Sequence, residues 1–488
     1  MILSSFSRDW SARPTREMLA GAVATFALIP EVIAFSFAAG VDPQVGLFAS
    51  FVIGIVIAFT GGRPAMISAA AGSVALVAAP LVHSHGLPYL LAAGLLAGVI
   101  QILFGLLRLG VLMRFVSKSV RTGFVNALAI LIFSAQMPQI IGAGWATYAV
   151  LAAGLALIYL LPRITTAIPS PLICIVVLTV ASVMLHLPVK TVADLGQLPD
   201  SLPIFAWPSV PLTFETLGII AGPALAIAMV GLLESMMTAS VVDDLTNTPS
   251  SKNREATGLG LANAAASLFG GIAGCGMIGQ TVSNIKYGGR GRLSTLFAGA
   301  FLLILMVLLK PWVSQVPVAA LVAIMVMVSI DTFDWSSLRA IVIHPKMSST
   351  VMLATVAVTV ATSNLAMGVA VGVLLSGVFF AFKVARLMDV TLEPEAVDGQ
   401  STFRVTGQVF FASADLFVDA FDVAKFAGKS VVIDVSRAHF WDITAVAALD
   451  RVVARFRAQG ANVDVRGMNK ASSTLVETLD RPSTDNAS

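Results

Sequence analysis

The chain has 488 residues, 57% of them hydrophobic and only 12% charged, with a mean hydropathy of +0.89. Soluble globular chains carry about 25% charged residues, so a water-soluble enzyme and a disordered chain are both excluded for most of the length. The formal net charge of +3 is small, but ten of the 30 Lys+Arg and 14 of the 27 Asp+Glu fall in the last 100 residues, which separates a membrane body (1–388) from a soluble tail (389–488).

A bilayer core of about 30 Å needs about 20 apolar residues per helix. Breaks at Pro, Gly and charge clusters predict spans over 17–39, 44–60, 88–108, 118–137, 145–162, 170–186, 215–241, 255–273, 293–309, 316–331, 347–363 and 366–386. Two further segments, 70–82 and 279–286, are too short to cross alone. The first apolar run contains Pro30-Glu31 and lacks a small-residue cleavage pattern, so it reads as a retained span. Cys174 and Cys275 lie in apolar or glycine-rich segments and support neither a disulfide framework nor a zinc site. His83 and His85 are the only close pair among the five histidines, and we read no metal site into them. There is no P-loop pattern, and no cofactor is expected.

With the N-terminus inside, the loops on the inner side collect Arg63, Arg108, Arg114, Lys118, Arg121, Arg163, Lys252, Arg254, Lys286, Arg290, Arg292, Arg339 and Lys346. The opposite loops collect only Lys190 and Lys310. By the positive-inside rule both termini, and the tail with them, are expected in the cytoplasm of the cell (inner) membrane. The two short segments are each third in a set of seven, and an odd number of spans per half inverts the second half. The expectation is therefore an α-helical polytopic membrane protein with 14 segments in a seven-plus-seven inverted repeat, about 14–190 and 212–388. Interrupted helices in corresponding positions point to the binding site of a transporter; the bland alternative is a pair of surface re-entrant turns.

Two acids lie at bilayer depth, Glu31 after Pro30 in the first span and Glu234 in Val230-Gly231-Leu232-Leu233-Glu234-Ser235. Such residues face a cavity or a partner and are functional candidates, the alternative being an interhelical hydrogen bond. The short segments open on Ala69-Ala70-Ala71-Gly72-Ser73 and Gly274-Cys275-Gly276-Met277-Ile278-Gly279-Gln280-Thr281. Small residues there allow close approach to the backbone. A helix beginning at mid-membrane presents unpaired N–H groups and partial positive charge, a site for an anion that needs no lysine or arginine. Small residues also serve plain helix packing, as in Gly94-Leu95-Leu96-Ala97-Gly98, but packing alone does not explain Gln280-Thr281.

These residues resemble the SulP (sulfate-permease-like) family of anion transporters. The resemblance is carried by Ala20-Gly21 to Ile29-Pro30, Ala39-Gly40-Val41-Asp42-Pro43-Gln44-Val45-Gly46-Leu47, Arg254-Glu255 to Gly258-Leu259-Gly260-Leu261-Ala262-Asn263, and Thr281-Val282-Ser283-Asn284-Ile285-Lys286. It implies a core and a gate domain, a homodimer, and an anion held between the third and tenth helix starts. Position by position it implies a first-helix site at Glu31 and Phe35, a third-helix start at Ala70, Ala71 and Gly72, and a tenth-helix start at Gly279, Gln280 and Thr281. Glu234 and Thr238 match the eighth-helix polar pair that binds sodium in sodium-coupled relatives. Many relatives have Gln in place of Glu31 and Arg in place of Gln280. An ionised Glu31 would repel an anion at low dielectric, and protonation would remove the conflict. The departures therefore point to proton–anion symport, with sodium coupling through Glu234 and Thr238 as the runner-up and exchange as a further alternative.

The tail alternates strands and helices: a strand at Val431–Val435, a helix from Ala445 to Gln459 with Arg451, Arg455 and Arg457 outward, a strand from Asn462 to Met468, and a helix Ser472–Leu479. It resembles the α/β STAS domain of the same family. Thr444, in Asp442-Ile443-Thr444, takes the place of a phosphorylated serine, but Ile443 departs from that pattern, so the tail reads as structural or partner-docking. The expected function is secondary active transport of a small anion such as bicarbonate, sulfate or fumarate. A nucleobase carrier of similar architecture, an anion channel and a signalling receptor are the rivals. No catalytic set lies within membrane reach, and nucleic acid is not an expected partner.

Overall fold

The computed structural model describes residues 10, 13–111, 116–164, 170–194, 196, 198, 199, 202–343, 346–393, 400–470 and 472–474. Arg114 and positions 475–479 of the last predicted helix lie outside them. Packing divides the chain into two units, Met1–Val373 and Leu374–Ser488, the division falling within the last apolar helix.

The body begins with α1 (Pro14–Ala39) and α2 (Pro43–Thr60). Both open on a proline, whose fixed φ suits a first helical turn and whose missing N–H costs nothing there. Gly40 closes α1 in the left-handed conformation, φ 76°, and Gly40 and Val41 N–H donate back to Phe37 and Ser36 carbonyls, a glycine C-cap. A three-residue strand β1 (Ser68–Ala70) leads into the short α3 (Gly72–His85), followed by α4 (Leu87–Leu106). Next come α5 (Lys118–Ile140), α6 (Trp145–Leu160), α7 (Ser170–Met184), α8 (Phe214–Thr246) and α9 (Lys252–Leu268). Strand β2 (Gly274–Gly276) leads into the short α10 (Ile278–Lys286). The body ends with α11 (Arg292–Val313), α12 (Val318–Thr332), the short α13 (Ser336–Ile343), α14 (Lys346–Thr362) and α15 (Leu365–Ala385).

Every predicted span has a helix near its bounds. Two differences have local causes. The segment expected over 255–273 is helical only over Lys252–Leu268, because the chain turns at Gly270 (φ 74°). The half-helix starts are preceded by strands rather than by irregular chain, and those strands pair antiparallel, Ser68 with Gly276, Ala69 with Cys275 and Ala70 with Gly274.

The helices sort into two bundles, α1–α4 with α8–α11 and α5–α7 with α12 and α14. Small residues set the closest approaches. A Cβ on Gly98 would lie 2.7 Å from Gly260 O and Ala264 N of α9, and one on Gly54 2.8 Å from Gly299 Cα of α11. At the basic end of the first bundle, buried acids cap backbone. Glu17 accepts from Arg290 N (2.7 Å) and Gly291 N (2.9 Å), and Glu255 accepts from Gly62 N (2.7 Å) and Arg63 N (3.0 Å). Arg63 pairs with Asp243 at 3.2 Å, and Arg292 donates to Ala58 O and Gly61 O. Several arginines that set the charge bias thus also fasten the loops they sit in.

The second unit contains a four-stranded sheet in the order β3 (Asp389–Leu392), β4 (Ser401–Val409), β5 (Ser430–Phe440), β6 (Asn462–Arg466), antiparallel at β3–β4 and parallel elsewhere. Helices α16 (Ala414–Asp419) and α17 (Ile443–Ala458) accompany it. Phe403, Phe417, Phe421 and Phe456 form an aromatic core. Asp442 caps α17, accepting from Ala445 N at 2.9 Å, while its other oxygen accepts from Phe411 N at 2.8 Å. Thr444 is exposed in the first turn of that helix.

Candidate functional site

A cavity of about 430 Å³ lies between the two bundles. Glu31 and Phe35 of α1, Gly72 and Ser73 of α3, Glu234 of α8, and Gly279 and Gln280 of α10 form its wall on the first bundle. Phe124 and Leu128 of α5 and Met327 and Asp331 of α12 face them from the second bundle. Among the described residues, the lining has three carboxyls and no lysine, arginine or histidine.

The two half helices begin in this wall without side-chain caps. Ala71 (φ −124°, ψ 149°) and Met277 (φ −91°, ψ 112°) are extended residues at the N-cap positions of α3 and α10, and neither side chain has an oxygen to accept a first-turn N–H. Such ends keep unsatisfied donors and partial positive charge aimed outward from the helix. Phe35 packs directly over the α3 start: a Cβ on Gly72 would come within 2.6 Å of the ring. At the α10 start the space is open, with nothing within 4 Å of a Cβ on Gly279. Gln280 lines the cavity together with Glu31. Among the described residues, polarity in this wall comes from helix ends, two carboxyls, a hydroxyl and an amide, not from a fixed cation.

Glu234 is held by its neighbours. Its Oε2 accepts from Ser73 Oγ and from Cys275 Sγ at 2.9 Å, and Ser73 Oγ lies 3.8 Å from that sulfur. One carboxylate thus ties α8 to the start of α3 and to β2.

The remaining candidates stand behind the wall. Ala70 is in β1, its N–H donating to Ser50 Oγ at 3.2 Å, and Ala70 and Ala71 are buried away from the cavity. Thr281 Oγ1 accepts from Ile67 N (2.9 Å) and lies 3.3 Å from Ile67 O. Thr238 Oγ1 is 2.9 Å from both Glu234 O and Gly276 O. Asn263, a residue of the ninth-helix motif, both donates to Gly274 O (3.1 Å) and accepts from Gly274 N (2.9 Å), with Gln101 Oε1 at 2.9 Å. These side chains satisfy the backbone in and beside the paired strands, which secondary structure alone leaves underbonded in an apolar medium. Sequence reasoning assigned no site role to Ser73, Cys275 or Asp331. Serine and cysteine are common where helices pack, and Asp331 falls at the last position of the predicted span 316–331.

The chain matches the sulfate permease family over residues 15–150 and 143–355, and the STAS domain over 391–480. It is 51% identical over 476 residues to the putative sulfate transporter YbaR of Bacillus subtilis (strain 168), covering 97% of this chain and 99% of that one. The chain belongs to the sulfate permease family. Among solved structures, it is similar to the transmembrane domain of a cyanobacterium bicarbonate transporter, BicA, at TM-score 0.66 and 25% identity, covering 74% of this chain and 98% of that one. The murine Slc26a9 anion transporter in its inward-facing state shares the fold at TM-score 0.84 and 18% identity, covering 96% of this chain and 87% of that one. As a member of the sulfate permease family, the protein is a multi-pass membrane anion transporter with a C-terminal STAS domain, and it is not an enzyme.

Proposed function

We propose that the protein is a secondary active carrier of one small anion, moved together with a proton held on Glu31. Bicarbonate, sulfate and small dicarboxylates such as fumarate are the candidate substrates. The observation that carries this reading is the wall itself: two uncapped helix starts and Glu31 share one cavity with no basic side chain among the described residues. An anion at those helix ends gains from their dipoles but is repelled by an ionised Glu31 at low dielectric. Binding of the anion therefore favours protonation of Glu31, and protonation favours binding; the linkage is reciprocal. Movement of the α1–α4/α8–α11 bundle against the other would carry both across by alternating access.

The Glu234 contacts favour a proton over sodium as the coupling ion. Oε2 of Glu234 already accepts from two protein donors, whereas a hard cation needs carboxylate oxygens turned toward it. The two halves are taken as inverted repeats, the assembly as a homodimer, and both termini as cytoplasmic in the cell membrane, on the charge bias and the paired strand–half-helix units. Thr444 at the exposed start of α17 is assigned a structural or partner-docking role rather than a phosphorylated one.

Purified protein in liposomes, given labelled bicarbonate, sulfate and fumarate with and without an inward proton gradient and with and without sodium, tests the reading. Saturable uptake of one anion, driven by the proton gradient and indifferent to sodium, is expected. In Glu31→Gln, uptake should persist at a reduced rate and lose its response to the proton gradient. An unchanged pH response in that variant would sink the coupling role of Glu31, and uptake that requires sodium would transfer it to Glu234 and Thr238. Non-saturating conductance would favour a channel.

A further inference from the structure

The cavity's third carboxyl belongs to the wall that carries neither half helix. Asp331 lies near the end of α12, thirteen residues from its start at Val318, a descent of about 20 Å at 1.5 Å per residue. That places it toward the end of the bundle where Arg63, Arg292 and the other basic residues gather. The side chain is exposed and lines the same cavity as Glu31, Gly279 and Gln280. None of the ion pairs among the described residues involves it. Among the described residues, no lysine, arginine or histidine lines the cavity to neutralise it. A fixed negative charge on the path of an anion, unpaired and reachable by water, needs a reason.

Resting on the carrier reading above, we propose that Asp331 is a release-side selectivity residue. Its charge weakens anion binding from the basic-end mouth of the cavity and hastens departure there. The asymmetry follows from the architecture. The helix starts that bind the anion sit on one bundle and Asp331 on the other, so relative movement of the bundles changes the distance between anion and carboxylate. Repulsion is strongest when the site opens toward the Asp331 end and weakest when it opens away. Because Asp331 is exposed, its effect passes through water and is screened by salt within about 10 Å at 0.1 M ionic strength. Glu31 and Glu234 are the other charged groups facing the cavity from the first bundle; both belong to the binding wall and move with the anion, so neither supplies a sided effect.

The test compares apparent KM for sulfate, bicarbonate and fumarate from the two sides, using intact cells for one side and inside-out vesicles for the other. At low ionic strength, Asp331→Asn should lower the KM for bicarbonate measured from the inner side roughly three- to tenfold, the span expected for two unit charges near 10 Å at intermediate dielectric, and the KM for the doubly charged sulfate and fumarate by more. The outer-side KM should change little, and the inner-side effect should shrink as salt is raised. Asp331→Glu, which keeps the charge, should behave like the unmodified protein. Equal shifts from both sides, a salt-independent shift, or no shift in a variant that transports would overturn the role of Asp331 while leaving the carrier reading intact. Absence of saturable uptake of all three anions by the unmodified protein would overturn that reading and this inference with it.

Discussion

Two glycines in the cavity wall have opposite surroundings, and the difference is measurable. At Gly72 an added methyl would meet the Phe35 ring at 2.6 Å, whereas at Gly279 it would meet nothing within 4 Å. Gly72→Ala must displace the ring or the α3 start, an overpacking cost of about 1–3 kcal/mol, and is expected to lower the Tm and the uptake rate. Adding Phe35→Leu should restore part of the Tm, since the smaller side chain yields the space. Gly279→Ala should leave the Tm unchanged and raise the KM for the largest accepted anion more than for the smallest. Equal thermal loss in both single variants would refute this account of the wall. Glu31, Glu234 and Gln280 stood out in the sequence because an acid or an amide inside an apolar run is expensive, and Gly72 and Gly279 because they lie in the small-residue starts of the two short segments. Ser73 and Cys275 did not, because serine and cysteine occur freely at helix contacts, and only the fold shows that both donate to one carboxylate.

Among elements, the spans were readable from apolar run length and the strands were not. β1 and β2 have three residues each, too few for a period-2 pattern. Their pairing joins positions more than 200 residues apart, which no local signal records. In the tail, β5 announces itself as Val431-Val432-Ile433. β4 alternates buried and half-exposed positions from Ser401 to Val405, a pattern diluted by Thr and Arg that escaped the sequence reading. The α4–α9 contact offers the sharpest test at this scale. Gly98 faces Gly260 O and Ala264 N at 2.7 Å from its would-be Cβ, while Gly222 in α8 faces open space. Gly98→Val should force these two helices apart and greatly reduce the yield of monodisperse protein; Gly222→Val should not. A well-folded Gly98→Val protein would show that the close approach is not needed.

For the whole molecule, the hydrophobic cores are separate. The main core of the body draws on residues from Ala24 to Leu365, and that of the tail on residues from Phe403 to Val463. A chain ended after Met388 is therefore expected to keep saturable anion uptake in liposomes, with any loss confined to maximal rate. A folded truncated protein that no longer takes up or binds anion would assign the tail a direct part in transport. Charge density alone led the sequence reading to a membrane body and a soluble tail; it carried no trace of the pairing of β1 with β2. That pairing fixes the span between the two half-helix ends by main-chain hydrogen bonds, which every amino acid but proline can supply. The ruler for the substrate is thus written in backbone and the chemistry in side chains. Replacing Glu31, Phe35 or Gln280 can change the charge, shape and driving ion of the cargo while the gauge of the track stays the same, so one scaffold can be adapted to different anions without being rebuilt.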